Sequence, residues 1–156
     1  MRHAKPALGL LLSALALAVP AWAAIIHVPG DQPTIQAGID AAVAGDVVLV
    51  APGTYTGPGN KDLDFGNKNL AVRSEAGAAA TFIDCEQSGR AFVLHGTLTA
   101  AARVDGFTIR NGDGGGGESD GGGGMLIYGA DPSIANCVFS GNTAAGSGGG
   151  IACYSS

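Results

Sequence analysis

Hydrophobic residues along this chain fall into three textures. Residues 7–19 form one nearly unbroken apolar run. Ile35, Ile39 and Val43 then recur at every fourth position, with Ala42 beside them, which is the stripe of an amphipathic helix. That spacing predicts about ten helical residues, 35–44, with Asp31 or Thr34 as N-cap and Gly45 as the C′ residue that ends the helix. Everything else apolar comes in short runs: residues 24–29, ending at Pro29, Val47 to Val50, Leu70-Ala71-Val72, Thr81-Phe82-Ile83, residues 91–94, residues 104–109, Met125 to Tyr128 and Cys137-Val138-Phe139. These are rich in β-branched residues, and turn residues separate nearly all of them, so they predict strands.

The runs repeat. Val104-Asp105-Gly106-Phe107-Thr108-Ile109 aligns with Ile134-Ala135-Asn136-Cys137-Val138-Phe139 at a shift of 30, and Gly124-Met125-Leu126-Ile127-Tyr128 aligns with Gly150-Ile151-Ala152-Cys153-Tyr154 at a shift of 26. The four-residue difference lies in one place, the glycine-rich stretch between Ile109 and Met125. Strands that hold register while one loop varies in length are the mark of a solenoid. A coil of short strands cannot bury its own apolar face, whereas stacked coils pair in parallel and share an interior. The expected fold is therefore all-β, a right-handed parallel β-helix with a coil of 26 to 30 residues, lidded at its N-terminal end by the helix at 35–44. By the period of two, Phe107, Ile109, Cys137 and Phe139 point inward, and Thr108 and Val138 outward. The chain stops at Ile151-Ala152-Cys153-Tyr154-Ser155-Ser156, partway through a coil, and further coils are expected beyond it.

Composition adds an address. Arg2 and Lys5 precede the 7–19 run, Pro20 breaks it, and Ala21-Trp22-Ala23 puts small residues at the −3 and −1 positions. This is the pattern of a signal peptide spanning residues 1–23, with the β-helix occupying 24–156; the run is short for a membrane span. The whole chain carries a net charge of −5, and the part after residue 23 has 6 basic residues against 13 acidic, or −7. No basic patch is present, which argues against nucleic acid as a partner. Three cysteines, Cys85, Cys137 and Cys153, are a poor disulfide framework and read as small apolar residues, although export would permit one bridge.

Two segments resemble known families. Val28-Pro29 and Pro33-Thr34-Ile35-Gln36-Ala37-Gly38-Ile39-Asp40-Ala41-Ala42, followed by Gly45-Asp46-Val47-Val48-Leu49-Val50-Ala51-Pro52-Gly53-Thr54-Tyr55, resemble the N-terminal cap and first coil of pectate-lyase-like β-helix proteins. Phe139-Ser140-Gly141-Asn142 and Gly148-Gly149-Gly150-Ile151 resemble the paired F-x-x-N and G-G-A-I motifs of polymorphic outer membrane protein repeats, with Gly150 in place of alanine. Ile109-Arg110-Asn111-Gly112 fits the first motif only loosely. The resemblance implies an exported envelope or extracellular protein, and it does not choose among the activities this fold hosts.

Candidate chemistry is sparse. A uronate lyase needs carboxylates recurring at one register to hold Ca²⁺, with an Arg or Lys as base; here Asp105 aligns with Ala135 and Arg110 with Ser140. A glycoside hydrolase needs two facing carboxylates, and no spacing singles out a pair among Asp62, Asp64, Asp84, Glu86 and Asp105. The loop at 112–124 holds nine glycines with Asp113, Glu118 and Asp120. It reads either as a flexible excursion or as a Ca²⁺ site of those three acids; no other cofactor is evident. No helix follows its G-x-G-x-x-G pattern, so it is not a dinucleotide loop. Tyr128 and Tyr154 align one coil apart, either to stack on sugars or to pack on each other. The expectation is an exported, adhesin-like surface module that binds polysaccharide, cell-surface glycans or other surfaces without catalysis. The alternative is a pectate-lyase-like polysaccharide-degrading enzyme with its site on later coils.

Overall fold

The computed structural model describes residues 22–115 and 121–155. These form β1 (Ile25–Val28), α1 (Ile35–Ala41), β2 (Val47–Val50), β3 (Gly53–Tyr55), β4 (Ala71–Ser74), β5 (Thr81–Asp84), β6 (Phe92–His95), β7 (Arg103–Asp105), β8 (Thr108–Arg110), β9 (Met125–Tyr128), β10 (Ser133–Ala135), β11 (Val138–Ser140) and β12 (Ile151–Tyr154). All pairings between these strands are parallel. They make three sheets, ordered β1-β2-β4-β7-β10, β3-β5-β8-β11 and β6-β9-β12. From β4 onward successive strands visit the three sheets in turn, and the molecule is a parallel β-helix of about four turns with one short helix. Among the described residues no helix is long and apolar enough to cross a membrane.

The helix lids the first coil, and it is shorter than its apolar spacing predicts. Thr34 is the N-cap, accepting a hydrogen bond from the Ala37 amide at 3.2 Å. The helix ends at Ala41, and Ala42 is already extended. Gly45 is therefore not its C′ residue, and Val43 is 63% exposed rather than part of the buried stripe. The cause is Asp46, whose carboxylate accepts the amides of Val43 and Ala24, both at 2.8 Å, drawing the chain out of the helix towards β2. Those two bonds, from Val43 first and then Ala24, hold the Asp46 pKa below the ordinary carboxylate value. Lys68 donates to the carbonyls of Ile39, Asp40 and Ala42, satisfying the helix C-terminus from the next coil. Gly38 lets the helix lie close on the coil, since a Cβ there would sit 2.8 Å from Val48 Cγ1.

Inside the coils, like stacks on like. Val48, Val72, Val104 and Ile134 are successive register partners, as are Ile83, Ile109 and Phe139. Phe65, Phe92 and Phe107 form an aromatic column with centroid separations of 6.3 and 6.4 Å, within the range that favours edge and tilted ring contacts. The 30- and 26-residue shifts are the observed pairings, Val104 with Ile134 and Met125 with Ile151. Earlier coils depart from that period: Val47 pairs with Ala71 at a shift of 24, and Phe92 with Met125 at 33. Phe107 and Ile109 are fully buried, Cys137 and Phe139 are half-buried against the same core, and Val138 is exposed. The apolar run at 104–109 is two strands, not one. Gly106 and the equivalent Asn136 bend the chain from the first sheet to the second with φ of 84° and 52°, a left-handed conformation that glycine and asparagine tolerate best. Two strands, β3 and β10, are too polar or too small to stand out as apolar runs; their partners in adjacent coils define them.

Candidate functional site

The acids of the first two sheets are spent on holding coils together. Asp84 at the end of β5 faces Arg110 of β8, with Nε to Oδ2 at 2.9 Å and Asn111 Nδ2 to Oδ1 at 3.0 Å. Burial works against ionisation of Asp84. The hydrogen bonds from Asn111, the Glu86 amide and Arg110, with the charge of Arg110, outweigh it and hold the pKa below the ordinary value. Asp105 behaves alike: burial raises its pKa, while Asn136, Arg103 and Arg73 more than reverse the effect. Arg103 lies 3.1 Å and Arg73 3.7 Å from its Oδ2. Glu86 pairs with Lys61 at 3.6 Å and accepts the Gly57 amide, and Asp62 accepts the Arg90 amide. Of the five acids considered for glycoside hydrolysis, these four are engaged in such contacts, and Asp64 is bound to His95.

The glycine-rich loop is anchored at its neck. The guanidinium of Arg90, a residue that no sequence motif marks, donates to the carbonyls of Gly114 on one side and Gly121 and Gly122 on the other. The described end of the loop packs so closely on the next coil that only glycine fits; a Cβ at Gly123 would lie 2.0 Å from Thr143 O. Asn142 explains the F-x-x-N pattern here. Its Oδ1 accepts the Gly112 amide at 2.8 Å and its Nδ2 donates to Ile109 O at 3.0 Å, stapling two coils. Gly124 then clears Phe139 and Asn142, each within 3.0 Å of where its Cβ would be. Of the candidate Ca²⁺ ligands, Asp113 accepts the Gly115 amide at 2.9 Å; Glu118 and Asp120 lie outside the described residues. Among the described residues no three His, Cys, Asp or Glu side chains cluster to hold a metal ion.

The third sheet carries a different surface. His95, Tyr128 and Tyr154 are register partners, one per coil, at the outward-facing ends of β6, β9 and β12. The tyrosines are 44% and 42% exposed. The His95 ring stacks on Tyr128 with centroids 5.1 Å apart and planes 11° from parallel. Its Nε2 lies 3.2 Å from Asp64 Oδ2, which fixes the imidazole at the foot of the row. Tyr154 does not complete a simple stack. Its hydroxyl leans over Gly121, where an added Cβ would come within 2.5 Å. Among the described residues His95 is the one ring stacked on Tyr128.

Beyond Tyr128 the chain turns through Gly129, Ala130 and Asp131 and opens a groove of about 470 Å³ against Cys153, Tyr154 and Ser155. That volume lies in the usual range for small-ligand sites. The Gly129 amide donates to Tyr154 O at 2.9 Å and the Asp131 amide to Leu98 O at 3.0 Å, so backbone bonds hold both walls. Tyr128 and Tyr154 were legible as a pair. His95 belongs to the same row and was findable by aligning Phe92-Val93-Leu94-His95 with Met125-Leu126-Ile127-Tyr128 at a shift of 33. The groove and Asp131 carry no sequence motif. Cys85 is buried, Cys137 half-buried and Cys153 exposed, and all three are free thiols. Comparison of the chain with protein-family models, with curated proteins and with solved structures finds no match.

Proposed function

We propose that this protein is an exported, adhesin-like β-helix surface module that binds glycans or other surfaces without catalysis in this segment, similar in its motifs to pectate-lyase-like β-helix proteins and to polymorphic outer membrane protein repeats. One observation carries the reading: aromatic side chains recur at a single outward position on three successive coils, His95, Tyr128 and Tyr154, beside a polar-edged groove. Aromatic rings offer apolar faces to the C–H faces of sugars at little entropic cost, and phenol hydroxyls and carboxylates at the rim match sugar hydroxyls. A lyase within these coils is disfavoured, because the acids and arginines it would need are paired with each other. Export rests on the residue 1–23 leader, and the secreted chain is expected to begin at Ala24.

The test is affinity electrophoresis and a glycan array on the full chain. Binding to at least one glycan class is expected, weakened about threefold to tenfold by Tyr128→Ala or Tyr154→Ala, with circular dichroism like that of the parent. A blank array, or binding indifferent to both substitutions, would overturn the reading. Ultraviolet-absorbing unsaturated product from polygalacturonate and Ca²⁺ would replace it with a lyase.

A further inference from the structure

We infer that Asp46 receives the amino terminus that leader removal creates: cleavage of the Ala23–Ala24 bond turns an amide already held by Asp46 into an ammonium, and the resulting ion pair fastens the helical lid to the first coil. The inference rests on the export reading, under which the leader ends at Ala23. Its starting point is one distance. The Ala24 nitrogen lies 2.8 Å from Asp46 Oδ1, and Oδ2 of the same carboxylate accepts the Val43 amide, also at 2.8 Å. Asp46 is 7% exposed and is the one buried acid among the described residues. Among those residues it has no ion-pair partner. A buried carboxylate is costly to the fold unless a positive charge or hydrogen bonds oppose it, and here two neutral amides do that work alone.

Hydrolysis of the Ala23–Ala24 bond by a leader peptidase consumes one water. Ala23 leaves with a carboxylate, and Ala24 gains a primary amine that takes up a proton at neutral pH. Where the amide offered one donor, the ammonium offers three and a full charge. The position is specific. A cut one residue later would remove Ala24, whose carbonyl accepts the Val47 amide at 2.9 Å ahead of the β1–β2 pairing. A cut one residue earlier would leave the charge one residue out from Asp46. Residues 22–24 are exposed, Trp22 to 88%, so the bond is open to a peptidase while the carboxylate that receives the product is buried. The same carboxylate holds Val43 just beyond the end of α1, so the pair ties the new chain end to the end of the lid. The other charged or titratable groups on the neighbouring elements are His27 of β1, Asp40 of α1, Lys68 ahead of β4 and Arg73 of β4. None of them bonds to Asp46: Asp40 accepts from Gln36, Lys68 donates to helix carbonyls and Arg73 faces Asp105.

The experiment expresses the full chain from its own leader in an exporting host and reads the amino terminus by mass spectrometry. A start at Ala24 is expected. At pH 7 that chain is expected to melt about 1–4 °C above one retaining Trp22 and Ala23, in which the Ala24 amide is kept and the charge lies two residues away. The carboxylate raises the pKa of the amine above the ordinary α-amine value of about 8. The gap is therefore complete below that value and closes as pH rises through the folded pKa. Side chains common to both chains cancel in the difference, and Asp46→Asn is expected to abolish it. Where Asp46→Asn does not fold, the pH dependence of α-amine acetylation in the unsubstituted exported chain decides, with a midpoint above the ordinary value expected. Equal melting of the two chains, a gap indifferent to pH, or an amine that titrates at the ordinary value would overturn the ion pair and leave export and glycan binding standing. An exported chain that starts elsewhere would overturn the inference alone, and a chain that keeps its leader would overturn the export reading with it.

Discussion

The first two sheets and the third sheet share the same coils but use their outward positions differently. On the first two, a carboxylate in one coil meets an arginine at the register position beside it: Asp84 with Arg110, and Asp105 with Arg73. Each charge is answered within the stack, and little is left for a ligand. On the third, the repeated outward position holds rings, His95, Tyr128 and Tyr154. The contrast teaches that recurrence alone does not identify a site. What distinguishes one is recurrence of groups whose interactions the fold does not already satisfy.

The largest expected effect lies beneath the third sheet. Phe92 sits on β6, three residues from His95, and its ring meets both Phe65 and Phe107. Phe92→Ala should cost about 3–5 kcal/mol, because a fully buried ring leaves a cavity between coils. Tyr128→Ala on the same sheet should cost less than about 1.5 kcal/mol, since it loses one stack on a half-exposed residue. Denaturant unfolding of the two variants checks the difference. A Tyr128→Ala cost as large as that of Phe92→Ala would mean that the aromatic row is structural, and would break the contrast.

Next in size are the paired acids. Asp84→Ala removes hydrogen bonds to a charged group and should cost about 1.5–3 kcal/mol. The pH dependence follows from the direction of the shifts. Asp84 and Asp105 have folded pKa values below the unfolded carboxylate value of about 3.9. The unfolded chain therefore takes up protons first, and stability from these groups is complete above that pH and lost as pH falls through the folded pKa. Acid unfolding should steepen below about pH 4, and the double variant Asp84→Asn, Asp105→Asn should flatten that limb.

Much of this architecture is legible in the chain itself, and the exceptions have physical causes. The shifts of 30 and 26 locate the last two coils because parallel stacking forces like residues into register. The 24- and 33-residue coils are harder to see, since turns of unequal length dilute the repeat. The helix ends before the apolar spacing through Val43 predicts, because the Val43 amide donates to the Asp46 carboxylate instead of continuing the helix. Tyr128 and Tyr154 stand out by alignment, but the partners of Asp84 and Asp105 are known only from the folded stack. Pairing across coils is a property of the folded stack, and no local pattern encodes it.

The smallest effect is also the most local probe of the groove. Burial first, and then the negative charge of Asp62, push the Cys85 thiol up to about 12, against the opposing charge of Lys61. At mildly alkaline pH Cys85 therefore holds little of the reactive thiolate and is also shielded from reagent. Cys153 is exposed and lines the groove one residue from Tyr154. Iodoacetamide should alkylate Cys153 readily in the folded protein and leave Cys85 unmodified until the chain unfolds. Cys153→Ser should change stability by less than about 0.5 kcal/mol, as expected of an exposed position. Mass spectrometry of the alkylated protein follows both sites at once, and a glycan seated in the groove should slow labelling at Cys153. Labelling that bound ligand leaves unaltered would place the ligand elsewhere on the row, towards Tyr128 and His95, and would separate the row from the groove as the binding surface.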